Sequence, residues 1–200
     1  MGRDPEAITL IAVTKVFPAR VIAEAYALGL RDFGENYVQE FDEKLAELSG
    51  IPEARFHLIG HLQSNKARRA AQIFHSIQTV DNAKLARRLE EAGRELDVMI
   101  EVKLSEEASK SGAAPEELAG LIEAVRNCGN LRLAGLMTMP PWTKEAEPSR
   151  PYFRRLRQLA EQHGLAQLSM GMSHDFEVAI EEGATHIRVG TALFGPRKKA

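Results

Sequence analysis

A closed (β/α)8 barrel is the fold this sequence predicts, and three observations carry the prediction. Short runs rich in β-branched and apolar residues alternate with segments of helical period along the whole chain, a pattern that demands a parallel sheet. Eight such units fill the 200 residues, so 1–200 is expected to be one barrel domain at the lower size limit of that architecture. The turn after the first run, "TKVFPAR", holds no glycine, whereas an open doubly wound sheet usually carries a Gly-rich phosphate turn there.

The runs come in order. "ITLIAVTK" (8–15) leads into "PARVIAEAYALG", which opens on a proline suited to a first helical turn and closes at Gly29. "DFGEN" (32–36), "RFHLIG" (55–60) and "SIQTV" (76–80) follow. "DNAKLARRLEEAG" carries an N-cap aspartate, Asp81, and a terminal glycine. "DVMIEVKL" (97–104) precedes the helical "APEELAGLIEAVRNCG", and "LRLAGLMTM" (131–139) is the sixth strand. "QLSMGM" (167–172), the helix in "SHDFEVAIEEG" and "HIRVG" (186–190) complete the series. Seven helices lie between eight strands, so the wall joining the last strand to the first needs further cover. With Lys15 inward, Ile8, Leu10, Ala12, Ile187 and Val189 are expected to form an outward apolar strip. The chain opens at "MGRDPEAI", without a helix before the first strand, so the strip is expected to lower stability or favour weak self-association.

Composition narrows the function. Hydrophobic and charged fractions of 44% and 27% are ordinary globular values, and the net charge of −2 speaks against a dedicated nucleic-acid binder. Lys66, Arg68 and Arg69, and Arg154, Arg155 and Arg157, stand among acids and read as solvated helix faces; the "PRKKA" tail reads as frayed. A single cysteine, Cys128, rules out an internal disulfide. No apolar segment is long enough for a signal peptide or a membrane span, and "MGRDPE" lacks the hydroxyl residue of a myristoylation signal. A cytoplasmic protein with no membrane partner is expected.

Active sites of such barrels lie at the carboxyl ends of the strands. Lys15, Asn36, Gly60, His61, Met139, Ser173, Gly190 and Thr191 collect at that rim. A strand-end lysine alone is usually a snorkelling side chain. Here "SMGMSHDF" and "RVGTALFG" add glycines, hydroxyls and fresh helix starts after strands 7 and 8, where barrels often hold phosphate. Strand 8 closes beside strand 1, so a ligand with a phosphate at one end and an aldehyde at the other would meet both the cradle and Lys15. A desolvated amine condenses with an aldehyde to a Schiff base, and pyridoxal 5′-phosphate is such a ligand. Arg188 shares a strand face with Gly190, where a guanidinium can donate to a pyridine nitrogen and leave it largely unprotonated.

The stretches "AVTK", "FGENYVQE", "FHLIGHLQSNK", "TVDN", "SKSG", "GLMTMPP", "LSMGMSHDFEVAI" and "IRVGTALFG" resemble, in order and over nearly the whole chain, the pyridoxal phosphate homeostasis proteins, formerly called proline synthase co-transcribed proteins. The resemblance implies a barrel like the cofactor domain of alanine racemase, with Lys15 holding the aldehyde. It implies that Ser173, Gly190 and Thr191 hold the phosphate, that Arg188 faces the ring nitrogen, and that Asn36 sits near the cofactor. It further implies a role in intracellular vitamin B6 homeostasis rather than efficient catalysis, with PLP-dependent apoenzymes as recipients. Members usually begin with a helix of some two dozen residues before the first strand, which this chain lacks.

Other readings compete. "HLIGH" puts His57 and His61 four apart, about 13 Å along a strand and too far for one metal. His57 is better read as a hydrogen-bonded interior histidine reaching toward the cofactor. A racemase on the same barrel needs a second base, and Tyr37 is the one tyrosine close to the rim. A Schiff-base aldolase usually carries its lysine late in the barrel, and "LRLAGLMTM" has none. An interaction module using the basic faces would bind in a salt-sensitive way that survives loss of Lys15.

Overall fold

Each apolar run becomes a strand in the computed structural model, which describes residues 2–107 and 111–196. Ser109 and Lys110 of "SKSG", and all of the "PRKKA" tail but its proline, lie outside the described residues. The strands are β1 (Thr9–Val13), β2 (Asp32–Glu35), β3 (Arg55–Leu58), β4 (Ser76–Val80), β5 (Leu96–Glu101), β6 (Leu131–Met137), β7 (Gln167–Met172) and β8 (His186–Val189). All neighbours pair in parallel, and β8 returns to β1 through Thr9↔His186 to Ala12↔Val189, closing the barrel. The strands stop one to three residues short of several expected ends, so Lys15, Asn36 and Gly60 stand in the turns just beyond them.

The connecting helices are α1 (Ala19–Ala27), α2 (Val38–Glu47), α3 (Ala67–Ile73), α4 (Ala83–Glu90), α5 (Leu118–Arg126), α6 (Arg150–Gln162) and α7 (Phe176–Glu181), with a single turn, α8 (Thr191–Phe194), after β8. The cap of α4 is Asn82 rather than Asp81: its side chain accepts the Leu85 N–H at 2.8 Å. The shift places the amide side chain, instead of the carboxylate before it, over the free N–H groups of the first turn.

Alternation sorts the strands into two layers. Outward residues such as Ala12, Phe33, Phe56, Ile77, Ile100, Leu136 and Val189 join the buried faces of the helices in one apolar cluster. Phe41 of α2 packs in tilted geometry against Phe56 of β3 and Phe74 after α3, at ring separations of 4.5 and 4.7 Å. Each such ring contributes about 1.5–3 kcal/mol by burial and pins α2 over β2 and β3. The inward layer is partly polar: His57, Gln78, Ser169 and Arg188 are all buried.

The expected bare strip is not bare. Ala12, Ile187 and Val189 are buried, and Ile8 and Leu10 pack against the same cluster. Phe194 of α8 also packs there, its ring 5.5 Å from Phe17. Upstream of β1, Arg3 donates to the carbonyls of Ile180 and Ala184 at 3.4 and 3.2 Å. The premise of lowered stability through exposure therefore fails.

The basic helix faces are not simply solvated. Arg69 pairs with Asp42 and Lys66 donates to Gln39, tying α3 and its lead-in to α2. Arg150, Arg154 and Arg157 all bond the buried Glu182 carboxylate, tying α6 to α7. No helix among the described residues is long and apolar enough to cross a membrane.

Candidate functional site

The carboxyl ends of the strands enclose a cavity of about 650 Å3, within the range of small-molecule sites. Lys15, Asn36, Ser173, Arg188, Gly190 and Thr191 all line it. Val13, Ile59, Met139 and Met172 supply apolar wall, and Trp142 and His174 stand at its edge. Trp142 is 73% exposed, its indole 6.2 Å from the His174 ring. The six residues expected from sequence thus converge. His57 does not line the cavity; it sits lower in the barrel, and its expected reach toward a ligand is corrected to an indirect one.

On one side, β1 delivers a half-buried Lys15 at its end. The chain turns there: Thr14 C=O accepts the Phe17 N–H at 3.1 Å, and Val16 takes a φ of 61°. Asn36 follows β2 beside Gly60, where a Cβ would fall 2.4 Å from the Asn36 carbonyl oxygen, so only glycine permits the approach. The Asn36 Oδ1 atom is buried and without a hydrogen-bond partner among the described residues. A buried acceptor so placed calls for a donor from a ligand or water.

On the other side the cavity is edged by backbone. Ser173 Oγ accepts the N–H groups of Gly190 and Ala192 at 3.2 and 3.3 Å, so two amides and a hydroxyl converge on one point. Asp175 fixes the turn behind them, accepting the Met172 N–H at 2.7 Å and the Ser149 hydroxyl at 2.9 Å. Gly171 has a φ of 92°, and a Cβ there would meet the Ala179 Cβ at 2.6 Å, which lets β7 run close against α7.

Between the two sides lies Arg188, 3% exposed. Its Nη1 donates to Ser169 Oγ at 2.7 Å and its Nη2 to the Thr138 carbonyl at 2.9 Å. Ser169 in turn donates to Gln78 Oε1 at 2.6 Å, and Gln78 Nε2 lies 3.4 Å from His57 Nδ1. His57 Nε2 is 2.8 Å from Asp32 Oδ1. With Gln78 as donor to Nδ1, the His57 proton sits on Nε2, and every bond from Arg188 to Asp32 points the same way. Burial pushes the Arg188 pKa down to about 10, against the pull of the Glu101 and Asp175 charges, so the group stays cationic at neutral pH. Burial also acts to raise Asp32, but the bond from His57 and the nearby Arg55 charge outweigh it and hold the carboxyl below its usual range.

The family model "Alanine racemase, N-terminal domain" matches residues 6–198. A protein of Pseudomonas aeruginosa named pyridoxal phosphate homeostasis protein is 52% identical over 98% of this chain and 87% of its own length. One of the same name from Escherichia coli K12 is 42% identical, with coverage of 98% and 88%. This chain belongs to the pyridoxal phosphate homeostasis protein family. Among solved structures, PipY of Synechococcus elongatus with PLP bound superposes with a TM-score of 0.88 at 42% identity, covering 96% of this chain and 95% of that one. An alanine racemase of Clostridium difficile superposes at 0.77 but is 15% identical and 54% covered, which shows a shared fold alone.

Within this homeostasis-family barrel, several site residues escape sequence reading. His174 is signalled only by adjacency to Ser173, and Trp142 by nothing in its Pro-rich loop. Gln78 and Ser169 lie in strands that read as ordinary apolar runs. Glu35, Glu40 and Lys44, which surround the base of Lys15, have one readable cue, the i,i+4 spacing of Glu40 and Lys44.

Proposed function

We propose that this chain is a single-domain barrel over 1–200 that binds pyridoxal 5′-phosphate, holding its aldehyde as a Schiff base on Lys15, and serves cytoplasmic vitamin B6 homeostasis as a carrier rather than an efficient catalyst. The observation that carries this reading is the convergence of Lys15, the Ser173–Gly190–Ala192 anion point and Arg188 on one cavity. The residues fit the cofactor by chemistry: an amine for the carbonyl, hydroxyls of Ser173 and Thr191 with backbone N–H groups for the phosphate, a fixed guanidinium for the ring nitrogen. The orphaned Asn36 Oδ1 supplies an acceptor for a further polar group. Bound in such a site, the cofactor supplies an electron sink that an unprotonated ring nitrogen weakens.

The protein's own residues favour holding over turnover. Arg188 does not give up its proton to the ring nitrogen, because a guanidinium, even with its pKa lowered to about 10 by burial, is far more basic than a pyridine nitrogen, and its bonds to Ser169 and Thr138 fix its orientation. Tyr37, the rim tyrosine, is 57% exposed and does not line the cavity. Among the described lining residues, His174 is the one base besides Lys15. PLP-dependent apoenzymes are the recipients this reading names, with neither nucleic acid nor membrane as partner. The test is reduction of the cofactor-loaded protein with borohydride, followed by peptide mapping. Label on Lys15, lost in Lys15→Ala along with the visible imine band, is the expected result. Label on another lysine overturns the site, and alanine racemisation at about 1 s⁻¹ or faster overturns the carrier role.

A further inference from the structure

Lys15 sits in a strained turn, and the strain has an identifiable cause. In a β-turn of the Thr14–Phe17 kind, a positive φ at the third residue is a place for glycine. Here it holds Val16, a β-branched residue at φ 61°, and Val16 is the one non-glycine residue with positive φ among the described residues. Such a conformation persists only where the surroundings enforce it. Both peptide groups flanking the Lys15 Cα are gripped from α2. Lys44 Nζ donates to the Thr14 carbonyl at 2.9 Å, and Glu40 Oε1 accepts the Val16 N–H at 2.6 Å.

The gripping groups hold one another. Lys44 Nζ lies 2.6 Å from that same Glu40 oxygen and 2.8 Å from Glu35 Oε1, which also accepts the Thr14 hydroxyl at 2.8 Å. Lys44 is 7% exposed and Glu35 fully buried, so neither charge has much water to turn to. Their helix is anchored by Phe41, itself wedged against Phe56 and Phe74. The assembly runs from the buried Glu35 and Lys44 out to the partly exposed Glu40, and it is aimed at the backbone of one residue. A flexible lysine side chain is directed most economically by fixing the direction of its Cα–Cβ bond, and small losses of aim are costly in bond formation.

We propose that Glu40, held in place by buried Lys44, is a positioning residue for Lys15: by accepting the Val16 N–H it enforces the left-handed turn that points the Lys15 amine at a carbonyl in the cavity. The inference rests on the assignment of Lys15 as the aldehyde-bearing residue. It makes the Val16 turn the element through which α2 acts, and Val16→Gly the substitution that makes Glu40 dispensable.

The experiment compares wild type, Glu40→Ala, Glu40→Gln and the Glu40→Ala/Val16→Gly pair. Two ligands are used: pyridoxal 5′-phosphate, and pyridoxine 5′-phosphate, which lacks the aldehyde. The readouts are affinity for each and the rate of borohydride trapping on Lys15. Glu40→Ala should bind pyridoxal phosphate roughly tenfold or more weakly and trap more slowly, with pyridoxine phosphate affinity unchanged. The double variant should recover toward wild type, since glycine takes a positive φ unaided. Glu40→Gln, which keeps the oxygen acceptor and the volume, should stay near wild type and serves if the alanine variant fails to fold. Wild-type behaviour in Glu40→Ala, equal loss for both ligands without rescue by Val16→Gly, or a Gln variant as impaired as Ala overturns the inference. A wild-type protein that traps no label on Lys15 fails the proposed function instead.

Discussion

The two sides of the cavity are built on different principles. The β1–β2 side is held by side-chain charge: buried Glu35 and Lys44, with the partly exposed Glu40, form a cluster that grips the backbone around Lys15. The β7–β8 side is held by backbone: the N–H groups of Gly190 and Ala192 meet a serine hydroxyl, in a turn tied down by Asp175 through neutral donors. The difference follows from what each side must present. An amine on four methylenes needs its root aimed, whereas amides in a turn are already fixed in direction. Removing a charge from the first side leaves another charge buried and alone; removing a hydroxyl from the second leaves the amides where they are.

The comparison is broken most severely at Lys44. Lys44→Met leaves the Glu35 carboxylate buried without its cation, and loss of one partner of a buried pair costs about 3–5 kcal/mol. Burial already pushes the Glu35 carboxyl above its usual pKa, with Lys44 and Thr14 pulling it back. Without Lys44 the folded pKa rises further above the unfolded value. The folded state then binds the proton more tightly, so stability is full below the unfolded value of about 4.3 and declines as pH rises through the folded one. The variant's deficit should therefore be large at neutral pH and shrink toward pH 4.5, read as urea midpoints at several pH values. A deficit independent of pH would show that packing, not charge, holds this side.

The next test concerns the backbone side. Ser173→Ala removes one hydroxyl donor to a charged acceptor, worth about 1.5–3 kcal/mol. Affinity for pyridoxal 5′-phosphate should fall by about ten- to a hundredfold, while pyridoxal without phosphate is little affected. Equal losses for the two, measured by equilibrium titration, would place the phosphate away from Ser173.

These two sides also differ in how far they were legible. All eight strands were readable because parallel strands, covered on both faces, appear as apolar runs between glycine, proline and polar breaks. Strand order then placed Lys15, Asn36, Ser173, Arg188, Gly190 and Thr191 at one rim without knowledge of any contact. Of the clamp, only the i,i+4 spacing of Glu40 and Lys44 was readable. Glu40 and Lys44 lie in "VQEFDEKLAE", where alternating charges look like a solvated helix face, and only tertiary packing turns them inward. The relay behind Arg188 was hidden for the converse reason: Gln78 stands in "SIQTV" facing the barrel interior, and a lone polar residue in a strand gives no sign of its partner. The expected apolar strip went wrong in its accounting of cover: a helical start in "RVGTALFG" was expected for its backbone N–H groups, whereas Phe194 of that turn also packs against the core cluster that Ala12, Ile187 and Val189 belong to.

The smallest effect on ligand binding should come from the charge cluster around Glu182 on the backbone side. Glu182 ends α7 as an almost fully buried carboxylate bonded by Arg150, Arg154 and Arg157, of which Arg154 is more than half exposed. The Arg154 bond, with Arg150 and Arg157 in support and burial opposing, holds the Glu182 carboxyl below its usual pKa. A depressed folded pKa contributes stability above the unfolded value of about 4.3, lost as pH falls through the folded one. Water screens the arginines, so Glu182→Gln should cost only about 1–2 kcal/mol, a fall in Tm of about 2–8 °C, and the gap to wild type should close below pH 4. The cluster lies behind α7 rather than at the cavity, where Ser173 and backbone amides are the proposed phosphate contacts. Affinity for pyridoxal 5′-phosphate should therefore be unchanged in thermally intact protein at 25 °C. A loss of affinity comparable to that of Ser173→Ala would mean that α7 is positioned by Glu182 as strictly as Lys15 is by Glu40, and the contrast between the two sides would collapse.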